Sequence, residues 1–381
     1  MLRRFDAGGG GTMSNFLQSM RESARRGFFG AVRHVANIDD TRRIAADALH
    51  LQPAVRCARD LAASQQLDAP YSELRRMPAA PIPRQRRPLF ITGRFRSGST
   101  LLWQLFRSMN GVTAYYEPFN QRRWFDPATR GTHVDATHIN VSNYWAEFDG
   151  LTQLGALYSE EWTRRQLYMD SDAWNAPMQQ YIQTLIDHAP GRAVLQFNDV
   201  DLRLPWLRAR FPEAEILHIY RHPRDQFCST LPNSVFEVTS LQLRSFEKYD
   251  GFYLLNWGRD LRYFFPFLAQ DGDAHPYELY YQVWKLSYLF GRAYADQSVC
   301  FEALAKDAAR EVPRMMARFG FEPDDLQRTL ALVAPIQEGK WRKRANNEFF
   351  AAIEARVDRQ FANYFDALAP MRETPRTAIA S

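Results

Sequence analysis

Lysine, cysteine and long apolar runs are scarce in this chain of 381 residues. Five lysines stand beside 43 arginines, and the arginines are spread along the chain among 43 acidic residues. That distribution offers no basic track for nucleic acid, despite a net charge of +5. The three cysteines, Cys57, Cys228 and Cys300, are far apart and odd in number. They supply neither a disulfide framework nor zinc-ligand spacing, and a reducing cytoplasm is the expected setting. No apolar run approaches the roughly 20 residues of a membrane span. A glycine run follows Arg3 and Arg4 where a signal peptide would carry an apolar segment, so no signal peptide is expected.

What is present suits a large catalytic domain with an extension: 46% of the residues are hydrophobic and 14% aromatic. Residues 1–12 read as a flexible lead-in. Residues 13–87 read as a helical extension and Pro-rich linker, with Phe16, Met20, Phe28, Val32 and Val35 at helical spacing. Packing on the main domain is the preferred role for that extension over contact with a membrane surface. Residues 88–350 form the main domain, and residues 351–381 a terminal helix and tail. Short, nearly all-apolar runs predict strands at 88–92, 192–197, 215–220 and 298–304. Helical patterns lie between them at 162–189, 202–210, 254–268, 280–294 and 312–319. This alternation predicts an α/β fold, a P-loop-like central parallel β-sheet flanked by helices on both faces.

The first predicted strand runs into "FITGRFRSGSTLLWQLF" (residues 90–106). Gly93 and Gly98 are separated by four residues and followed by Ser99 and Thr100, the outline of a Walker loop with Ser99 where Lys would stand. Glycine lets backbone approach a phosphate, and the free N–H groups opening the next helix point at the anion. Arg96 supplies a cation from inside the loop, and Arg94 offers a second. The stretch "RSGST" before "LLWQLF" resembles the 5′-phosphosulfate loop, P-R-S-G-T-T-L-L, of sulfotransferases that use 3′-phosphoadenosine 5′-phosphosulfate (PAPS). Phe95 and Ser99 depart from that form, which carries Pro and Thr at those positions.

The resemblance implies a second grip, for the 3′-phosphate. "ILHIYRHPRDQFCST" (residues 216–230) has its form: a strand, then Arg221 at its end, then Ser229 eight positions on. A guanidinium at a strand end can grip a phosphate with two parallel donors. "EGKWRKR" (residues 338–344) resembles a C-terminal segment of bacterial members that closes over the nucleotide. It makes Lys340 and Arg342 candidate phosphate ligands and Trp341 a candidate neighbour of adenine.

Under this resemblance the nucleotide contacts are Arg94, Phe95, Arg96, Ser97, Gly98, Ser99, Thr100, Arg221, Ser229, Lys340, Trp341 and Arg342. PAPS is the co-substrate, 3′,5′-adenosine bisphosphate (PAP) the product, and no metal is needed. Arg96 is the candidate cation for the leaving phosphate. Glu117, in "AYYEPFN", is the candidate base; a helix of about three turns and a returning loop would carry it back above the cradle. His133 and His138 are the rival bases, since cytosolic relatives use a histidine. A hydroxylated carbohydrate or glycolipid is the first choice of acceptor, with a small molecule, lipid or peptide tyrosine as alternatives. Two other functions compete: a P-loop kinase or NTPase, against which the missing Walker Lys argues, and a nucleic-acid-binding protein, for which no basic-aromatic module is present.

Overall fold

The chain divides into two units, Met1–Val55 and Arg56–Ser381. A computed structural model describes residues 87–368 of the second, apart from 136, 137, 139, 140 and 236. The lead-in, the helical extension and linker up to residue 86, and the tail past 368 lie outside the described residues.

Five parallel strands form one sheet in the order β2-β3-β1-β4-β5. They are β1 (Leu89–Thr92), β2 (Val112–Tyr116), β3 (Arg192–Phe197), β4 (Glu215–Tyr220) and β5 (Gln297–Cys300). Every residue of β1 and β3 is buried, as expected of central strands covered on both faces. Helix α1 (Ser99–Arg107) packs on the β2 side of the sheet, where the Trp103 indole N–H donates to the Ala114 carbonyl at 2.7 Å. A long helix (Pro276–Tyr294) packs against β4 and β5. Trp103, Phe90, Phe106 and Trp206 are among the fully buried side chains of the core. Each contributes roughly 1.5–3 kcal/mol or more of burial.

The returning loop expected between the first helix and Glu117 is corrected: β2 occupies Val112–Tyr116. Asn110-Gly111 makes the turn, with Gly111 at φ 70°, and Val, Thr and two Tyr then favour extended backbone. The last strand ends at Cys300 and not at Leu304, because Phe301–Lys306 carries good helix formers and turns helical. The single helix expected at 162–189 is shorter. It spans Ala176–Asp187, where Asn175 caps the Met178 N–H at 3.1 Å and Pro177 stands in the first turn. The helix expected at 254–268 stops at Leu261, and Pro266 opens a separate short turn.

The order of strands decides which loops meet. β1 and β4 are neighbours, with Thr92 opposite His218, and β2 and β3 are neighbours, with Tyr116 opposite Gln196. Four adjacent strands therefore end side by side at their carboxyl edge, where open α/β sheets bind ligands.

Candidate active site

Each of those four strand ends delivers a functional group. β1 runs into the glycine loop 93–98, β2 into Glu117, β3 into Asn198 and Asp199, and β4 into Arg221. Arg96, Gly98, Ser99, Thr100, Glu117, Asn198, Asp199 and Arg221 all line one cavity of about 520 Å³. The two sequence-predicted grips touch directly: Arg221 Nη1 donates to the Arg96 carbonyl at 3.2 Å.

The loop is held close to its neighbours. A Cβ on Gly93 would lie 2.5 Å from the Ile219 carbonyl oxygen of β4. Gly98 sits at φ 100°, and a Cβ there would lie 2.3 Å from the Phe301 ring. Only glycine serves at either place. The Leu101 and Leu102 N–H groups bond to the Gly98 carbonyl, which opens α1. The N–H groups of Gly98, Ser99 and Thr100 then form a helix start with no backbone acceptor among the described residues, which favours an anion.

The side chains of the loop divide their tasks. Ser97 is fully buried with its hydroxyl toward Gly93, and its N–H donates to the Arg94 carbonyl at 3.1 Å. Ser99, in the Lys position of a Walker loop, donates to Asn198 Oδ1 at 2.8 Å. Asn198 in turn donates through Nδ2 to Glu117 Oε1. Asn120 Nδ2 donates to Glu117 Oε2 at 2.6 Å. The cradle hydroxyl and the candidate base are thus joined through one asparagine. Thr100 Oγ1 and the Tyr116 hydroxyl pair at 3.2 Å. Burial pushes the Glu117 carboxyl above its ordinary value, opposed by the bonds from Asn120 and Asn198.

Arg96 keeps its guanidinium on the cavity wall, 3.8 Å from the Asp135 carboxylate. Arg94 is turned away from the cavity. It is 4% exposed, stacks at 4.2 Å on Trp257, and leaves Nε and Nη1 without a hydrogen-bond partner. Arg221 is mostly buried, its Nε has no hydrogen-bond partner, and the Glu302 carboxylate stands 3.9 Å from that nitrogen. Ser229 lies two turns further on, in the helix Pro223–Thr230, and its hydroxyl donates to the Gln226 carbonyl at 2.7 Å. It does not line the cavity.

Lys340, Trp341 and Arg342 are not on the cavity wall either. Trp341 is buried between Arg224, at 4.6 Å, and Phe350. The Gly339 and Trp341 N–H groups donate to the two oxygens of Asp225 at 2.8 and 3.0 Å, which clamps this segment onto the helix after Arg221. The apolar wall of the cavity is instead made by Phe301, Leu332, Ala334 and Ile336.

Both rival bases, His133 and His138, line the cavity. His138 Nδ1 pairs with the Tyr144 hydroxyl at 2.5 Å, and burial lowers its pKa. Sequence reasoning missed Tyr116, Asn198, Asp199 and Tyr253, which line the same cavity. Asn198 and Asp199 carried a signal, polar residues directly after a predicted strand. Burial pushes the Asp199 carboxyl up to about 7. Among the described residues no group of three or more His, Cys, Asp or Glu side chains is arranged for a metal ion, and no helix is long and apolar enough to cross a membrane.

A model of the sulfotransferase family matches residues 88–283, just over half of the chain. Among solved structures, one match is the sulfotransferase domain of the Synechococcus PCC 7002 olefin synthase (16% identity, 77% of this chain and 98% of that one, TM-score 0.31). A second is a sulfotransferase from Alicyclobacillus acidocaldarius (18%, 74% and 99%, TM-score 0.33). A third is sulfotransferase STF1 from Mycobacterium tuberculosis H37Rv (16%, 81% and 84%, TM-score 0.37). No curated protein sequence matches significantly. The family match spans more than half of the chain, including β1 to β4 and the glycine loop after β1, and the chain belongs to the sulfotransferase family.

Proposed function

We propose that the protein transfers a sulfuryl group from PAPS to a hydroxyl of an acceptor, with a carbohydrate or glycolipid as the acceptor class. The observation that carries this reading is the convergence of the helix start at Gly98–Thr100, Arg221 and Glu117 on one cavity, with the two grips in contact. In this reading the two grips hold a nucleotide charged at both ends of its ribose. The helix start and Arg96 hold the 5′-phosphosulfate. Arg221 holds the 3′-phosphate, with Ser229 behind it. The wall of Phe301, Leu332, Ala334 and Ile336 is a better partner for adenine than Trp341, whose ring is already packed. Lys340 and Arg342 would act only at the rim, through long-range charge.

In the reaction the acceptor oxygen bonds to sulfur as the bond from sulfur to the 5′-phosphate oxygen breaks. The electron pair of that bond leaves on the phosphate, where the loop N–H groups and Arg96 stabilise it. The acceptor proton passes to Glu117. Its raised pKa makes it a stronger base than an exposed carboxylate, while the bonds from Asn120 and Asn198 fix its orientation. Contact between donor and acceptor in one cavity removes much of the entropic cost of their encounter.

Two measurements test the reading. Calorimetry should show PAP binding of equal affinity with and without Mg²⁺, and tighter than ATP. Incubation with ³⁵S-labelled PAPS and a host-cell extract should move label into an acceptor. Metal-dependent ATP binding without PAP binding would return the protein to the kinase or NTPase class.

A further inference from the structure

One buried group in the cavity has no task in the reaction above. Asp199 follows Asn198 beyond the end of β3, lines the cavity and is 5% exposed. Its carboxylate has no side-chain partner; the hydrogen bond it receives is from its own N–H. Arg203, the cation that acts on it, gives its donors to backbone carbonyls: Nε to Gln166, Nη1 to Asp199, and Nη2 to Trp162 and Arg165, at 2.6–3.1 Å. Four of the five guanidinium N–H groups of Arg203 are thus directed at carbonyl oxygens, and none bonds to the carboxylate. Glu117 lies close enough to repel it. Burial of a carboxylate with no side-chain hydrogen-bond donor is costly. Such groups cluster where a ligand completes them.

The surroundings define what would complete it. Phe119, Thr163, Phe252 and Tyr253 line the cavity with Asp199, and Tyr253 is held at φ 61°, a strained conformation for a non-glycine residue. Aromatic faces beside a carboxylate suit the C–H face of a sugar or an ammonium group and repel an anion. We propose that Asp199 is the acceptor-binding carboxylate of this site. It receives a hydrogen bond from an O–H or N–H of the acceptor next to the hydroxyl that is sulfated, and the acceptor is neutral or cationic at that point. This rests on the sulfotransferase reading, which the experiment checks separately.

The probe is total host-cell extract incubated with ³⁵S-labelled PAPS, the extract being split beforehand by ion exchange into anionic, neutral and cationic fractions. Label should enter the neutral or cationic fractions. With limiting extract, Asp199→Ala should cut transfer at least about tenfold, as loss of a charge-assisted hydrogen bond does. Asp199→Asn should fall less, because its amide oxygen still accepts. PAP affinity should stay within about twofold of wild type in both. Undiminished transfer by Asp199→Ala, or label confined to the anionic fraction, would each overturn the proposal. Failure of wild-type protein to bind PAP and to transfer label would instead overturn the sulfotransferase reading.

Discussion

Three residues of the cavity, Arg96, Glu117 and Tyr253, hold φ angles of 66°, 40° and 61°. Side chains other than glycine rarely adopt such angles, and each costs on the order of 1–3 kcal/mol unless the surroundings hold it. At Glu117 the holding groups are visible: Asn120 on one carboxylate oxygen and Asn198 on the other. Glu117→Gln should keep PAP affinity and lose turnover by roughly a hundredfold or more. Full activity of that variant would move the base to His138 or His133. Asn198→Ala gives a finer test. Its donation favours the charged form of Glu117, so its removal raises the Glu117 pKa further. A base works deprotonated, so the acid limb of the kcat profile should move to higher pH. A limb that stays in place or moves to lower pH contradicts the role of Asn198.

At the scale of elements, the site depends on how tightly the β1–α1 loop lies against its neighbours. Gly98→Ala would drive a methyl into the Phe301 ring and force a positive φ on alanine. It should lower stability by about 1–3 kcal/mol in denaturant unfolding and also weaken PAP binding. A variant of wild-type stability would mean that the loop readily takes another path. Strands β1, β3 and β4 are legible in the sequence because all three are buried nearly throughout and read as mostly apolar runs. β2 is not. Its Thr113, Tyr115 and Tyr116 dilute the apolar run, and it is an edge strand whose identity depends on pairing with β3. The grips are legible because glycine spacing and a strand-end arginine are local patterns. Asn198 and Asp199 are hidden for the opposite reason. Their importance comes from the neighbouring ends of β2 and β1, where Glu117 and Ser99, 81 and 99 positions away in the chain, meet Asn198. The tight packing of Trp341 and its distance from the cavity wall are equally invisible, since they arise from Asp225 capturing the Gly339 and Trp341 N–H groups.

For the whole molecule, two segments 125 positions apart, at Arg96 and Arg221, come together on one cavity. Arg221 is mostly buried with its Nε free of hydrogen bonds, so under the proposed function a phosphate would meet a charge already partly desolvated. Arg221→Ala should weaken PAP by roughly 1.5–3 kcal/mol in calorimetry without altering the fold; unchanged affinity would remove Arg221 from the site. The most direct measurement is a crystal structure of the protein with PAP. The 5′-phosphate should lie on the Gly98–Thr100 N–H groups and the 3′-phosphate on Arg221, with Glu117 facing the space beyond the 5′-phosphate. A nucleotide bound outside this cavity, or bound there with neither phosphate on those groups, would contradict the shared grip.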